Sequence, residues 1–295
     1  MRLILSRKGF DSSAGGCPSP VLPDGSLCVL PIPDRLSQIR YDDVSFGARR
    51  LGKIARDLSG GRVRGGSGAH LDPDLVADAL PRQPGWRPLL GQTGSAQGHL
   101  NNQGVGVGDL FLFFGVFRKA EMVRRRWRFV PGTRPFHAIW GWLHVGQVHA
   151  VDDLPSKALP WARYHPHFCR GPDPGNTLYV SSDSWRLPGH RRALPGSGVF
   201  PQLQDRLRLT DPEGRLPTRW RLPAGFFPAG GKPALSYHQK PDRWRLDLPW
   251  CYLASAARGQ EFVLDLDAYP DLLPWLAELI GTGNAEIKNK EPANG

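Results

Sequence analysis

The sequence predicts an α+β fold: a single β-rich domain with a central mixed or antiparallel sheet or a partial barrel, few helices, and long Pro/Gly-rich connections. Two observations carry this. Residues 109–117 (DLFLFFGVF) and 136–150 (FHAIWGWLHVGQVHA) are aromatic and β-branched runs of the kind that fill buried strands. Glycine (35) and proline (29) together exceed a fifth of the 295 residues, which implies many turns and leaves little room for long helices.

The elements follow in order. Residues 2–6 (RLILS) read as a first strand ending in a loop from Arg7 to Gly16, and residues 27–32 (LCVLPI) as a second. Residues 43–58 read as a helix, because Leu51, Ile54, Ala55 and Leu58 share one face and Gly60 can stop it. A glycine-rich loop follows, from Gly60 to Gly68. Asp72-Pro73-Asp74 opens like a helix over residues 72–80, with Asp72 as cap and Pro73 in the first turn. Strands are expected over 109–117, 127–130, 136–150, 178–181 and 260–265. A helix from Pro270 to Ile280 turns Leu272, Leu273, Leu276 and Leu279 inward. The expected organisation is one domain over residues 1–281 and a disordered tail over 282–295.

The formal net charge is +11, and only 8 of the 38 basic residues are lysine. Guanidinium groups favour phosphates and stacked rings, so the expected partners are nucleotides or nucleic acid, DNA ahead of RNA. Cys17, Cys28, Cys169 and Cys251 lack CxxC spacing, which disfavours a zinc ribbon and fits free thiols in a reducing cytoplasm. The apolar run at Leu3–Leu5 is too short for a secretion signal and no stretch suits a membrane span.

Four constellations carry candidate chemistry. The loop after the first strand gathers Arg7, Lys8, Asp11, Ser12 and Ser13, with Gly15 and Gly16 offering backbone N–H groups to a phosphate. His70-Leu71-Asp72 has the spacing of two ligands of a two-histidine, one-carboxylate metal site; His99, His137, His144, His149, His165 and His167 are all possible third ligands. Gly91 to Asn102 reads as a small-residue loop whose Gln92 and Gln97 amides suit base edges, with His99 as an acid or base. Arg124, Arg125, Arg126 and Arg128 surround Trp127, a pattern suited to phosphates and bases and equally to a solvated hairpin tip. Glu261 and Asp265 share a strand face and either could be a catalytic carboxylate. No GxSxG, HExxH or Walker order is present, and no motif names a cofactor.

The strings LSRKGFDSSAGG, LPIPD, HLDPDL, GQTGSAQGHLNNQGVGVGDLFLFFGVFR, FHAIWGWLHVGQV and GQEFVLD resemble the nucleotide modification associated domain 3 family of bacteria and phages over most of the chain. The resemblance implies a place in DNA or nucleotide base modification and no defined reaction. The 108–117 region is also loosely similar to small β-barrel modules of the PUA type.

Together these readings lead to an enzyme of nucleotide or DNA base modification. In it Arg7 and Lys8 hold phosphate, Ser12 also contacts substrate, Gln92 and Gln97 orient a base, and Asp11 or His99 moves a proton, with both loops in one pocket. The alternatives are a non-catalytic module that recognises modified or single-stranded nucleic acid through the arginines, and a metal-dependent oxygenase or hydrolase built on His70 and Asp72. The cofactor, the target base and the oligomeric state stay open.

Overall fold

The computed structural model describes residues 1–257, 259 and 261–288, with backbone only for 282–288. Nine strands form the main sheet: β1 (Arg2–Arg7), β2 (Ser19–Val21), β3 (Leu89–Gln92), β4 (Leu110–Val123), β5 (Arg126–Phe129), β6 (Phe136–Ala150), β7 (Thr177–Ser181), β8 (Ser197–Val199) and β9 (Glu261–Asp265). The through-path is β9-β1-β4-β6-β7-β3, with β2 and β5 paired to β4 and β8 paired to β6. The pairs β1–β4 and β2–β4 are parallel and the others antiparallel, so the sheet is mixed. The path is open, with β9 and β3 at its ends; the closed barrel of the PUA likeness is not formed.

β4 and β6 are buried on both faces over their first halves, which is why their sequences run apolar without alternation. One core packs Leu3, Phe111, Phe113, Trp142 and Phe262 with Leu276 and Leu279 of the last helix. A second gathers Phe10 and Tyr41 with Leu51, Ile54 and Ala55 of α1 (Leu51–Leu58). Among residues 219–254, Arg219–Pro223, Trp244–Asp247 and Trp250–Ala254 make a separate three-stranded sheet that the sequence did not announce.

Several boundaries differ from expectation. The second strand is Ser19–Val21, and of 27–32 only Ile32 enters a two-residue strand, with Pro33; Val21 bridges Leu27. α1 begins only at Leu51, because residues 45–50 fold into a short antiparallel pair. No helix forms over 72–80 beyond the three-residue 3-10 turn Ala77–Ala79. Asp72 instead precedes a cis peptide and its carboxylate turns inward, while Asp74 bridges to Leu89 and pairs with Arg82. Residues 94–102 are not a loop but α2 (Gly94–Asn102). The closing helix α3 spans Leu273–Lys288 after the 3-10 turn Pro270–Leu272, with Leu272, Leu276 and Leu279 buried and Leu273 half-buried. Of the tail expected over 282–295, the stretch to Lys288 continues α3 and 289–295 lie outside the described residues.

Candidate functional site

β1 is an apolar strand in the middle of the sheet, and the chain leaving its C-terminal end delivers Arg7 and Lys8 into a cleft of about 540 Å³. Asp11, Asp34, His70, Asp72, Gln92, His167 and Arg170 also line it. Lys8 is held at this point by its backbone N–H, which donates to Phe114 O on β4 over 2.8 Å.

The floor is built around two buried carboxylates and that lysine. Lys8 Nζ lies 3.5 Å from Asp72 Oδ2 and 3.9 Å from Glu261 Oε1. Glu261 Oε1 also accepts from Gln92 Nε2 (2.6 Å) and Ser6 Oγ (3.0 Å), whereas Oε2 has no hydrogen-bond partner among the described residues. Burial pushes the Glu261 carboxyl above its ordinary value, against the opposing pull of Lys8, Ser6 and Gln92. Gln92 ends β3 and Glu261 begins β9, so this hydrogen bond joins the two ends of the sheet path and curls the sheet around the cleft.

Asp72 accepts from the backbone N–H of Gly91 through Oδ1 (2.6 Å). The fully buried His165 lies 3.4 Å from that same oxygen, in a contact too misaligned to satisfy its Nε2. Burial alone would raise the Asp72 carboxyl. Lys8 and the histidines His165 and His167 outweigh it and hold the group far below the usual carboxylate range. Asp72 therefore stays ionised and is suited to holding a cation rather than to carrying a proton.

Two imidazoles close the arrangement. His70 Nε2 sits 3.9 Å from Asp72 Oδ2, and its Nδ1 meets Asp34 Oδ2 at 2.7 Å. The His70 hydrogen bond is the largest of the influences that lower the Asp34 pKa. His167 Nδ1 meets Asn176 Oδ1 at 2.5 Å, and Asn176 Nδ2 donates to His167 O at 2.8 Å. The His167 ring lies against Gly91, where any Cβ would overlap it. Burial lowers the His167 pKa to about 4 against the opposing pull of Asp72 and Asn176, so the ring is neutral at physiological pH.

The expected residues divide. Arg7, Lys8, Asp11, Gln92, His70 and Asp72 come together at the cleft, as does His167 out of the candidate third ligands. Asp11 is engaged as a loop brace: it accepts from Ser13 N, Ser13 Oγ and Ala14 N and pairs with Arg7 at 2.9 Å. Burial pulls its pKa up, yet these donors and Arg7 leave it below its ordinary value. Ser12 is exposed in the turn and does not line the cleft.

The supposed pairing of the two loops fails at its second half, because α2 carries Gln97 and His99 away from the lining. Gln97 is buried against Tyr179 and Asn101, and His99 contacts Ser236 and lies tilted against the Tyr237 ring. His137, His144 and His149 lie elsewhere, against Trp220, Ser182 and Gln147. Arg124 and Arg125 form the exposed turn between β4 and β5, and Arg128 pairs with Glu121 at 3.0 Å. Asp265 is exposed and accepts from Asp267 N at the end of β9. Sequence reasoning missed Asp34, Asn176 and Arg170. The His165-Pro166-His167 pair was the available signal for that side of the cleft.

All four cysteines are free, and among the described residues no helix is long and apolar enough to cross a membrane. No curated protein and no solved structure matches the chain. Residues 2–265 match the family model described as nucleotide modification associated domain 3, and the chain belongs to that family.

Proposed function

We propose that this protein is an enzyme that modifies a nucleotide or nucleobase, and that the reaction takes place at the floor of the cleft. The observation that carries the reading is the convergence of Lys8, Asp72, His70 and His167, from three separate segments, at the base of an open cavity with Arg7 and Arg170 on its wall. Ionisable groups brought together at this cost in desolvation mark sites of chemistry more often than sites of support.

In this reading Arg7 and the exposed Arg170 receive the phosphate of the substrate. Lys8 supplies a point charge at the floor, and Glu261, which does not itself line the cleft, positions Lys8 and Gln92 from beneath. Gln92 lines the cleft with its amide already held, Nε2 by Glu261 and Oε1 by the Thr93 N–H. A second, more apolar cavity of about 500 Å³, lined by Val29, Leu71, Leu75 and Trp140, shares Gly9 and Asp72 with the cleft and offers room for a planar ring beside the charged floor.

The test is a thermal-shift screen against nucleoside mono-, di- and triphosphates, nicotinamide dinucleotide, and single- and double-stranded DNA, in wild type and in an Arg7→Gln/Arg170→Gln variant. A ligand that binds only the folded state raises the melting temperature. A shift with a small nucleotide that survives added salt and is lost in the variant supports the reading. A shift with DNA alone, erased by moderate salt and unchanged in the variant, overturns it.

A further inference from the structure

His70 and His167 enter the cleft from positions nearly a hundred residues apart, yet they are arranged alike. Each has its Nδ1 engaged by an acceptor behind it, Asp34 for His70 and Asn176 for His167. That leaves each Nε2 for the space in front of Asp72. One donor atom from each of His70, His167 and Asp72 lies within 4.8 Å of the other two. The His70–Asp72 separation of 3.9 Å is too long for a hydrogen bond. Three polar atoms thus converge without satisfying one another, in a largely desolvated place. Asp72 takes its hydrogen bonds from Gly91 and Lys8 and none from His70 or His167.

We infer that His70, His167 and Asp72 bind a divalent first-row transition metal ion, with Asp34 and Asn176 orienting the two imidazoles from behind. Two imidazoles and one carboxylate form a donor set of borderline softness, suited to zinc, iron(II), cobalt(II) or nickel(II) and poorly suited to calcium or magnesium. Outer acceptors on Nδ1 are the usual partners of metal-bound histidine, since they fix the tautomer and the ring plane. Bonds of about 2.0–2.2 Å place ligand atoms roughly 3–3.5 Å apart, so binding closes the cage by about 1 Å, within reach of small side-chain rotations. Three protein ligands leave open positions facing the cleft.

Two neighbours complete the surroundings. Gly91 N–H holds Asp72 Oδ1, with His165 3.4 Å from the same oxygen, while Oδ2 lies 3.9 Å from His70 Nε2. Lys8 sits between Asp72 and Glu261 and competes for the same oxygen, so the metal and the ammonium share Asp72 only if Lys8 leans toward Glu261. The site does not rest on the nucleotide reading, because its test contains no nucleotide.

The experiment is a titration of the metal-stripped full chain with cobalt(II), followed by visible absorption and by calorimetry, with elemental analysis after dialysis. The expected result is about one equivalent bound, with ligand-field bands. His167→Ala and Asp72→Asn abolish the bands. Asp34→Asn, which replaces the outer carboxylate on His70 Nδ1 by a neutral amide, weakens binding about 10–100-fold. His149→Gln, at a half-buried histidine outside the cleft, leaves it unchanged. Thermal melts without metal establish that each variant is folded. Absence of bands with less than about a tenth of an equivalent retained, or an affinity equal in wild type, His167→Ala and Asp34→Asn, overturns the inference.

Discussion

Gln92 and Glu261 lie 169 positions apart in the chain and are joined by a 2.6 Å hydrogen bond between Nε2 and Oε1. Each belongs to an end strand of the sheet path, so the bond fastens the two ends of a curled sheet at the floor of the cleft. Because Ser6 and Lys8 share the same carboxylate, the closure of the sheet and the placement of the site's cation are one arrangement.

That carboxylate gives the first prediction. Glu261 is fully buried, its pKa is raised, and its Oε2 is unpartnered among the described residues. A folded-state pKa above the unfolded value means that the native state holds a proton the unfolded chain has released. The contribution of Glu261 to stability is therefore complete below about pH 4.5 and declines as pH rises through the folded pKa, by up to about 1.4 kcal/mol per pH unit. Glu261→Gln keeps an acceptor for Ser6 and Gln92 and removes the titration. Chemical denaturation from pH 4 to 8 should show the variant gaining on wild type as pH rises; a constant difference across the range would show that Glu261 titrates alike in both states.

Lys8 and Asp72 form a second pair whose strength can be measured. Their side chains are 10% and 2% exposed, so removing either leaves a buried charge without its main counterion. Lys8→Met and Asp72→Asn should each destabilise the protein, Lys8→Met by about 3 kcal/mol, and the double variant should cost less than the two singles together, with a coupling of about 1–3 kcal/mol. Additive costs in a double-mutant cycle would show that the 3.5 Å contact contributes nothing.

How much of this was legible in the sequence depends on distance along the chain. β1, β4, β6 and β9 were readable because runs such as LFLFF and EFVLD announce burial locally. Ser19–Val21 was missed because its strand character comes from pairing with β4, while its residues, Ser-Pro-Val, read as a turn. The Asp-Pro-Asp triplet misled because a helix cap and a buried carboxylate before a tight turn use the same residues. Gln97 and His99 looked like site residues because glycine and small polar residues mask a short helix, and a helix sends Gln92 and His99 to different surroundings. His70, Asp72 and His167 could each be picked out by type. What assembles them is the pairing of β3 with β7, which sets Gly91 opposite Leu178 and lets His167 lie on the glycine. That pairing is a tertiary fact with no local signature.

The interior also predicts a response to acid. Trp220 Nε1 donates to His137 Nδ1 over 2.9 Å, which requires that nitrogen to be unprotonated. Burial, then the charge of Arg7, pushes the His137 pKa down to about 3. Here the folded pKa lies below the unfolded value of 6.5, so the unfolded chain takes up a proton that the native state refuses. Stability is complete above about pH 6.5 and falls as pH drops toward 3, at about 1.4 kcal/mol per pH unit for this residue. His137→Gln keeps an acceptor for the indole and removes the titration. Its urea midpoint should lie below wild type at pH 7 and fall less steeply toward pH 4; parallel profiles would count against a neutral His137.

The arginine-rich hairpin yields the last prediction. Arg124 and Arg125 have φ of 48° and 65° and connect β4 to β5 as a two-residue turn. Turns of this kind require positive φ at both central positions and favour Asn-Gly, whereas a bulky side chain there is strained. Arg124→Asn/Arg125→Gly should therefore stabilise the protein by about 1 kcal/mol, read as a rise in the urea midpoint with no change in slope. The same variant separates two roles for the charge. If the turn only connects two strands, binding of a small nucleotide in the cleft and of DNA outside it should be unaltered. If the strained arginines are kept for nucleic acid, stability should still rise, while DNA affinity falls and its dependence on salt becomes shallower by about two ions, one for each phosphate contact removed.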